Sequence, residues 1–378
     1  MPTTRQDADR RTRPDQVSVE RAVAELRAGR PVAVLGEAPF VMACAESVDA
    51  DLAASLVFDL AGPGADSVGC ACLVLPAPRL RRLGLHDRAG PGGIALPAID
   101  PERIARLALQ IDARIDAPVA LTTRRDEVAL DLARAALMLP AVVVVPLGEG
   151  ASVPAHLMSV TDTAVAAYHV ATVRIVSRAP VPLEGALDSE FVVFRGGDGL
   201  RDQVAIVVGR PKLDAPVTVR LHSACLTGDL FGSLKCDCGD QLRGAVRQMS
   251  ETGGGILLYL DQEGRGNGLA NKIRAYDLQA CGFDTYEADE ALGYGVDQRR
   301  YDFAAQMLRG LGVARVRVVS NNPAKIAALG AAGLDVVGTQ RSIGRVTAQN
   351  LSYLSVKRDR TGHALGRDLA ERLEATLP

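Results

Sequence analysis

The chain has 378 residues, is 48% hydrophobic and 23% charged, and carries a formal net charge of −2. That length exceeds one typical core and sets an expectation of two domains, while the near-zero charge excludes a general nucleic-acid binder. No apolar run reaches membrane-spanning length and no leader pattern opens the chain, so a cytoplasmic protein without a membrane partner is expected.

Residues 1–15 are mixed in charge and poor in apolar side chains, which predicts a disordered tail. A first domain is expected over 16–168. It opens with "SVERAVAELRAGRPVAVL", where Val19, Ala22, Val23 and Leu26 fall at helical spacing, Gly29 ends the helix and Pro31 to Leu35 reads as a buried strand. Alanine-rich helices and short apolar strands then alternate, a mixed α/β (α+β) pattern. A polar break follows at "GEGASVPAH", and the boundary is placed after it, near 165–172, giving a second domain over 169–378. There the strands are Phe191 to Arg195, Gln203 to Gly209 and Val217 to Ser223, followed by a helix with Leu242, Ala245, Val246 and Met249 on one face. "GGILLYL" reads as a strand, and "NKIRAYDLQACG" and "FAAQMLRGLG" as helices closed by Gly282 and Gly312. "VRVVS" is a strand, and Asn322 caps a last helix with Pro323 in its first turn.

Seven cysteines in a chain of this length point away from a disulfide framework. Three of them, Cys225, Cys236 and Cys238, have the spacing C-x10-C-x-C amid Gly, Asp and Lys. Three thiolates suit zinc, and Gly239 permits a turn that aims two sulfurs at one ion. A structural zinc takes four protein ligands, and Cys281 lies far along the chain on a predicted helix. Three ligands and an open position therefore suggest a catalytic ion holding water. The bland alternative is packed free thiols, and His222 as a fourth ligand is another. Cys44, Cys70 and Cys72 sit in apolar surroundings and read as packed thiols.

Two stretches suit anions. "DQEGRGNGLANK" follows a strand and opens a helix, with Gly264, Gly266 and Gly268 allowing close backbone approach and Arg265 adding a fork of donors. Its spacing is neither a Walker A loop nor a dinucleotide fingerprint. "SNNPAKI" puts Lys325 in the first turn of a helix, unfavourable unless an anion lies between charge and dipole. "GYGVDQRRYDF" gathers Asp297, Arg299, Arg300 and Asp302, either a solvated charge cluster or a polyphosphate clamp.

Taken together, "RLHSACLTGDLFGSLKCDCGDQL", "QEGRGNGLANKIRAY", "ALGYGVDQRRYDF" and "NNPAKI" resemble GTP cyclohydrolase II, over about residues 172–365. The resemblance implies a homodimeric hydrolase of riboflavin biosynthesis that takes GTP with Zn²⁺ and Mg²⁺. Cys225, Cys236 and Cys238 would hold zinc, and water activated there would attack C8 of guanine, opening the imidazole ring with loss of formate. Tyr276 would assist the ring opening. Arg299 matches the nucleophile towards the α-phosphate, which releases pyrophosphate, and Asp297 its proton acceptor. Arg220, Leu221, His222, Ser223, Ala224, Gln241, Glu263, Gly264, Arg265, Thr285, Ser320 and Lys325 match GTP-contacting positions, with Gln241 and Glu263 suited to the guanine edge and Arg265 and Lys325 to phosphates. Two positions depart from the family pattern. Ala224 replaces a glutamate and keeps only its backbone N–H, and Asp261 replaces a basic residue.

The opening "VERAVAELRAGRPVAVL" resembles dihydroxybutanone-phosphate synthase, but "GEAPFVMACAES" stands where that family has its acidic Mg²⁺ cluster, and neither His86 nor His156 has the neighbours of its histidine–glutamate motif. The resemblance thus implies a degenerate, catalytically silent domain serving folding, assembly or regulation. Two other readings of the whole chain are a zinc-stabilised GTP-binding regulator without turnover and a paralogue that opens the ring but keeps the triphosphate. Retention of Tyr276, Asp297 and Arg299 argues against the paralogue.

Overall fold

The structure is a computed structural model that describes residues 14–61, 71–148, 152–168, 171–197, 202–295, 297–342, 344–345, 347 and 350. Residues 1–13 of the expected tail, Cys70, part of the polar break and everything past 350 lie outside the described residues. Pro14 and Asp15, assigned to the tail by composition, instead begin a helix.

The chain forms two compact units, Met1–His169 with Ile273–Gln298, and Val170–Lys272 with Arg299–Pro378. Residues 273–298 had been expected with the second half of the chain; they pack instead with the first unit.

Each unit is built on one seven-stranded sheet. The first holds β1 (Val32–Leu35), β2 (Phe40–Cys44), β3 (Cys72–Leu75), β4 (Gly92–Ala95), β5 (Val119–Leu121), β6 (Val142–Pro146) and β7 (Met158–Thr161), in the order β5-β4-β3-β6-β2-β1-β7. Only β1 and β7 run parallel. Strand alternation divides its buried residues between two cores. Val32, Val34, Phe40 and Met42 face α1 (Pro14–Arg27), α5 (Arg124–Ala135) and α6 (Asp162–Ala166). Ala33, Val41, Ala43, Leu73 and Leu75 face the other way, towards α2 (Ala50–Ala61), α3 (Ala77–Arg82) and α4 (Pro101–Leu109). Val19, Ala22, Val23 and Leu26 are all buried on α1, as their spacing predicts. Cys44 and Cys72 are free thiols in this unit, and burial pushes both up, Cys72 to about 11.

The second sheet has the order β14-β13-β11-β12-β10-β9-β8. Its strands are β8 (Ala171–Pro180), β9 (Ser189–Gly197), β10 (Gln203–Val208), β11 (Val217–Ser223), β12 (Gly255–Leu260), β13 (Arg315–Val319) and β14 (Asp335–Gln340). β8, β9, β10 and β12 are antiparallel neighbours, whereas β12, β11, β13 and β14 run parallel. The helices are α7 (Leu226–Asp229), α8 (Cys238–Glu251), α9 (Leu269–Ala280), α10 (Thr285–Ala291), α11 (Asp302–Gly310) and α12 (Pro323–Ala331), of which α10 and most of α9 lie in the first unit. Asn322 caps α12 through its side chain, which accepts from the Ala324 N–H at 2.8 Å.

Parallel strands deliver their loops to one edge, and the carboxyl ends of such strands are where open α/β sheets bind ligands. Here those ends are Ser223, Leu260 and Val319, and the chain beyond each carries a motif singled out above.

Phe303 of α11 is fully buried against Phe194, Val219, Leu221 and Val318. Phe303→Ala should cost about 3–5 kcal/mol, read as faster amide exchange in β11 and β13.

Candidate metal centre

Cys225 follows β11 directly, while Cys236 and Cys238 lie at the start of α8. Their three sulfurs lie within 4.8 Å of one another, and among the described residues they form the one group able to hold a metal through three or more such ligands. Four sulfurs around tetrahedral zinc at about 2.3 Å would sit about 3.8 Å apart. The Cys225 and Cys236 sulfurs are 3.7 Å apart. The donor set and its spacing therefore fit a tetrahedral, thiolate-binding ion.

This close approach depends on two glycines. A Cβ on Gly228 would lie 2.6 Å from the Cys236 sulfur and 3.0 Å from that of Cys225. A Cβ on Gly239 would strike the Gly228 carbonyl. Cys225 has its pKa lowered by hydrogen bonds from Cys236 and Cys238 against the effect of burial, with Lys272 helping. Lys272 Nζ donates to the Cys225 sulfur at 3.1 Å and to Glu263 Oε1 at 2.8 Å.

Two buried carboxylates hold the cysteine loop. Asp229 accepts from the Cys225 N–H at 3.0 Å and from the Tyr259 hydroxyl at 3.0 Å, and its other oxygen lies 3.0 Å from His222 Nε2. His222 is therefore turned to Asp229 and not to the sulfurs. Burial lowers its pKa, opposed by Asp229, and its ring stacks on Tyr259 at 5.6 Å. Glu263 accepts from the Leu226 N–H at 2.6 Å as well as from Lys272. Its observed partners are thus the cysteine loop and a lysine, a duty its place in "QEGR" did not announce.

A second network runs from Arg220, whose Nη2 donates to Gln241 Oε1 at 2.6 Å, to Asp237, which accepts from the Gln241 amide. Arg220 is buried, and burial lowers its pKa, opposed mainly by Asp237. Its Nε is buried without a hydrogen-bond partner. Ser223 Oγ at the end of β11 is likewise unpaired. Lys325 is also buried; its Nζ donates to the Leu221 carbonyl at 2.8 Å and lies 5.4 Å from the Tyr301 ring centroid. Ser320 Oγ accepts from the Asn322 N–H at 3.0 Å. Ala224 has its N–H committed to the Leu260 carbonyl at 2.7 Å, so the one group left to it by the loss of a side chain is already used.

The glycine loop is contorted. Gly264 and Arg265 both adopt φ of 60°, and Gly266 and Gly268 also have positive φ. Arg265 has no glycine's freedom, and such a conformation costs about 1–3 kcal/mol, the kind of strain that clusters at binding loops. Tyr276 and Thr285 are half-buried on α9 and α10, and Asp297 is exposed; all three belong to the first unit. Arg299 is half-buried in the second unit, with its guanidinium 5.8 Å from the Tyr301 ring centroid.

A family model described as GTP cyclohydrolase II matches residues 173–341. GTP cyclohydrolase-2 of Xylella fastidiosa (strain Temecula1) is 45% identical over 361 residues, covering 93% of this chain and 88% of its own. The chain is an enzyme of the GTP cyclohydrolase II family. GTP cyclohydrolase-2 of Azospirillum brasilense is 40% identical, covering 92% of this chain and 93% of its own. The riboflavin biosynthesis protein RibBA of Cytophaga hutchinsonii is 44% identical over 178 residues, which are 47% of this chain and 44% of its own. The likeness to the two GTP cyclohydrolases therefore extends through the N-terminal half, well beyond the stretch that the family model matches.

In this family member, sequence reasoning missed Asp229, Asp237, Lys272 and the pairing of Gly228 with Gly239. All three side chains carried a faint signal: Asp237 lies between two of the cysteines, and Asp229 and Lys272 each lie within five residues of a motif residue. Gly228→Ala should lower the metal retained per chain after dialysis several-fold, measured by elemental analysis against Cys44→Ala as a control distant in sequence from the cluster.

Proposed function

We propose that this chain hydrolyses GTP, opening the guanine imidazole ring with release of formate and pyrophosphate, to give 2,5-diamino-6-ribosylamino-4(3H)-pyrimidinone 5′-phosphate for riboflavin synthesis. The observation that carries this reading is the cysteine triad, its three sulfurs within 4.8 Å of one another, inside the matched region 173–341. Cys225, Cys236 and Cys238 hold zinc, which when bound supplies a Lewis acid able to make water a nucleophile near neutral pH.

The chain's own residues do the rest. Arg220 and Lys325 are two buried cations beside the carboxyl ends of parallel strands, and the unpaired Arg220 Nε is a donor awaiting an anion. With Arg265 they bind the triphosphate, which brings Mg²⁺ with it. Leu221, His222, Ser223 and Ala224 line the approach from β11, while Gln241, Glu263, Gly264, Thr285 and Ser320 complete the nucleotide site. Tyr276 moves a proton during ring opening. Arg299 attacks the α-phosphate, breaking its bond to the bridging oxygen of the leaving pyrophosphate, and Asp297 takes the guanidinium proton that would otherwise block attack. Water then frees the phosphate from Arg299. The working form is a cytoplasmic homodimer, and the synthase-like N-terminal half has no chemistry of its own. Support for its silence comes from Glu46, the acid in "MACAES", which is occupied with the Leu139 N–H and Arg274.

Incubation with GTP, Zn²⁺ and Mg²⁺ should yield formate and pyrophosphate in equal amounts. GTP binding with neither product would defeat the enzymatic reading, and formate without pyrophosphate would favour retention of the triphosphate. Cys236→Ser should lower turnover by at least about a hundredfold by removing a metal ligand; full activity would sink the role of the triad. Ribulose 5-phosphate should give no butanone phosphate, and its detection would overturn the silence of the N-terminal half.

A further inference from the structure

Among the described residues Arg79 is the largest fully buried side chain, and none of its partners there is acidic. Burying a lone charge is costly unless hydrogen bonds replace its water. Here backbone carbonyls replace it. Nε donates to the Leu107 carbonyl at 2.8 Å, and Nη2 to those of Gln110 at 2.7 Å and Arg106 at 3.4 Å. Nη1 donates to the Ala291 carbonyl at 3.0 Å. The first three close the C-terminus of α4, and the fourth closes that of α10. Both are negative ends of helix dipoles, which suit a cation. Burial and Arg82 push the guanidinium down to about 10, so it stays charged at neutral pH.

The segment 273–298 is pinned to the same frame at both ends. At its start, Arg274 pairs with Glu46 at 2.5 Å. At its end, the Tyr294 hydroxyl donates to the Met138 carbonyl at 2.9 Å. Gly293, at φ +88°, packs so closely that a Cβ there would lie 2.8 Å from Pro76. Between these points Ala275, Leu278, Ala288, Ala291 and Leu292 are buried in the core shared with Leu73, Leu80 and Leu107. Tyr276 lies two residues beyond Arg274, and Asp297 three beyond Tyr294.

We propose that the N-terminal half is the frame that sets the conformation of the segment bearing Tyr276, Thr285 and Asp297, and that Arg79, clasping the C-termini of α4 and α10, is its positioning residue. This rests on the reading of those three residues as parts of the GTP site. An apolar side chain could fill the same space without the desolvation cost. What the guanidinium adds is direction, because its fork fits only one placement of α10 against α4. The frame replaces a lost activity with a mechanical duty: turnover depends on it, while the metal ligands, all in the other unit, do not.

The test compares the parent chain with Arg79→Met, Arg79→Lys and Glu46→Gln, with Arg21→Ala, on the exposed side of α1, as a surface control. Each is assayed for kcat and KM with GTP, metal per chain, and amide exchange over 273–298. Arg79→Met should lower kcat about 10- to 100-fold, as expected for a misplaced catalytic group, with a smaller change in KM and unaltered metal content. Exchange over 284–294 should rise, and Arg79→Lys should recover part of the loss. Glu46→Gln should show the same pattern more weakly, and it decides the matter if Arg79→Met does not fold. A kcat within twofold of the parent in both folded variants, or a loss that tracks metal content, would overturn the proposal. If the parent chain itself releases no formate, the reading of the site has failed, and exchange alone then judges the clasp: unchanged protection in Arg79→Met and Glu46→Gln refutes it.

Discussion

Three sulfurs held within 4.8 Å of one another are the constraint around which the second unit is organised. Thiolates repel one another, and nothing in a bare strand-to-helix connection would bring three so near. The approach requires a place where two backbone segments can touch, and Gly228 and Gly239 provide it. The carboxylates of Asp229 and Glu263 then tie down the N–H groups of Cys225 and Leu226. Lys272 brings positive charge directly to the Cys225 sulfur. Asp229, Glu263 and Lys272 thus each hold a partner that would itself be costly to bury alone, so this set is stable only as a whole.

The sheet beneath explains why these groups meet. β11, β12 and β13 run parallel, so the chain leaves all three at one edge. The cysteine loop, the contorted glycine loop and the cap of α12 are the three departures. Arg220 and Lys325 come to the same edge, one from the body of β11 and one from the first turn of α12, and Lys325 donates to the β11 carbonyl of Leu221. Two cations and a set of thiolates on adjoining loops are separate electrostatic tasks.

The first unit obeys a different logic. Its sheet is almost wholly antiparallel and covered on both faces, and among its described residues no cluster of acids or histidines repeats the second unit's triad. Its most costly buried group, Arg79, is spent on backbone carbonyls. Glu46 is likewise engaged in holding Leu139 and Arg274. Charge in this half is used to fix helices in place.

Much was readable from the chain alone. The period of α1, the strand at Val217–Ser223, the cap at Asn322 and the cysteine triad all follow from residue type at short spacing, and short spacing is where local sterics and hydrogen bonds decide. Less visible were β2, β8, β14 and α10. β2 lies in a stretch read chiefly for its missing acids, β14 is largely exposed, and α10 is short, so none carries a strong pattern of its own. The sequence by itself determined which residues could bind a metal and an anion, and the order in which they occur. Only the tertiary structure decided that Glu263 serves the cysteine loop, that His222 turns to Asp229, and that residues 273–298 join the first unit. The first and last of these depend on contacts between distant positions, 37 residues apart for Leu226 and Glu263 and 212 for Arg79 and Ala291, and the second on how the loop after β11 folds back on its own strand. No periodicity along a chain encodes a hydrogen bond whose two ends belong to separate elements.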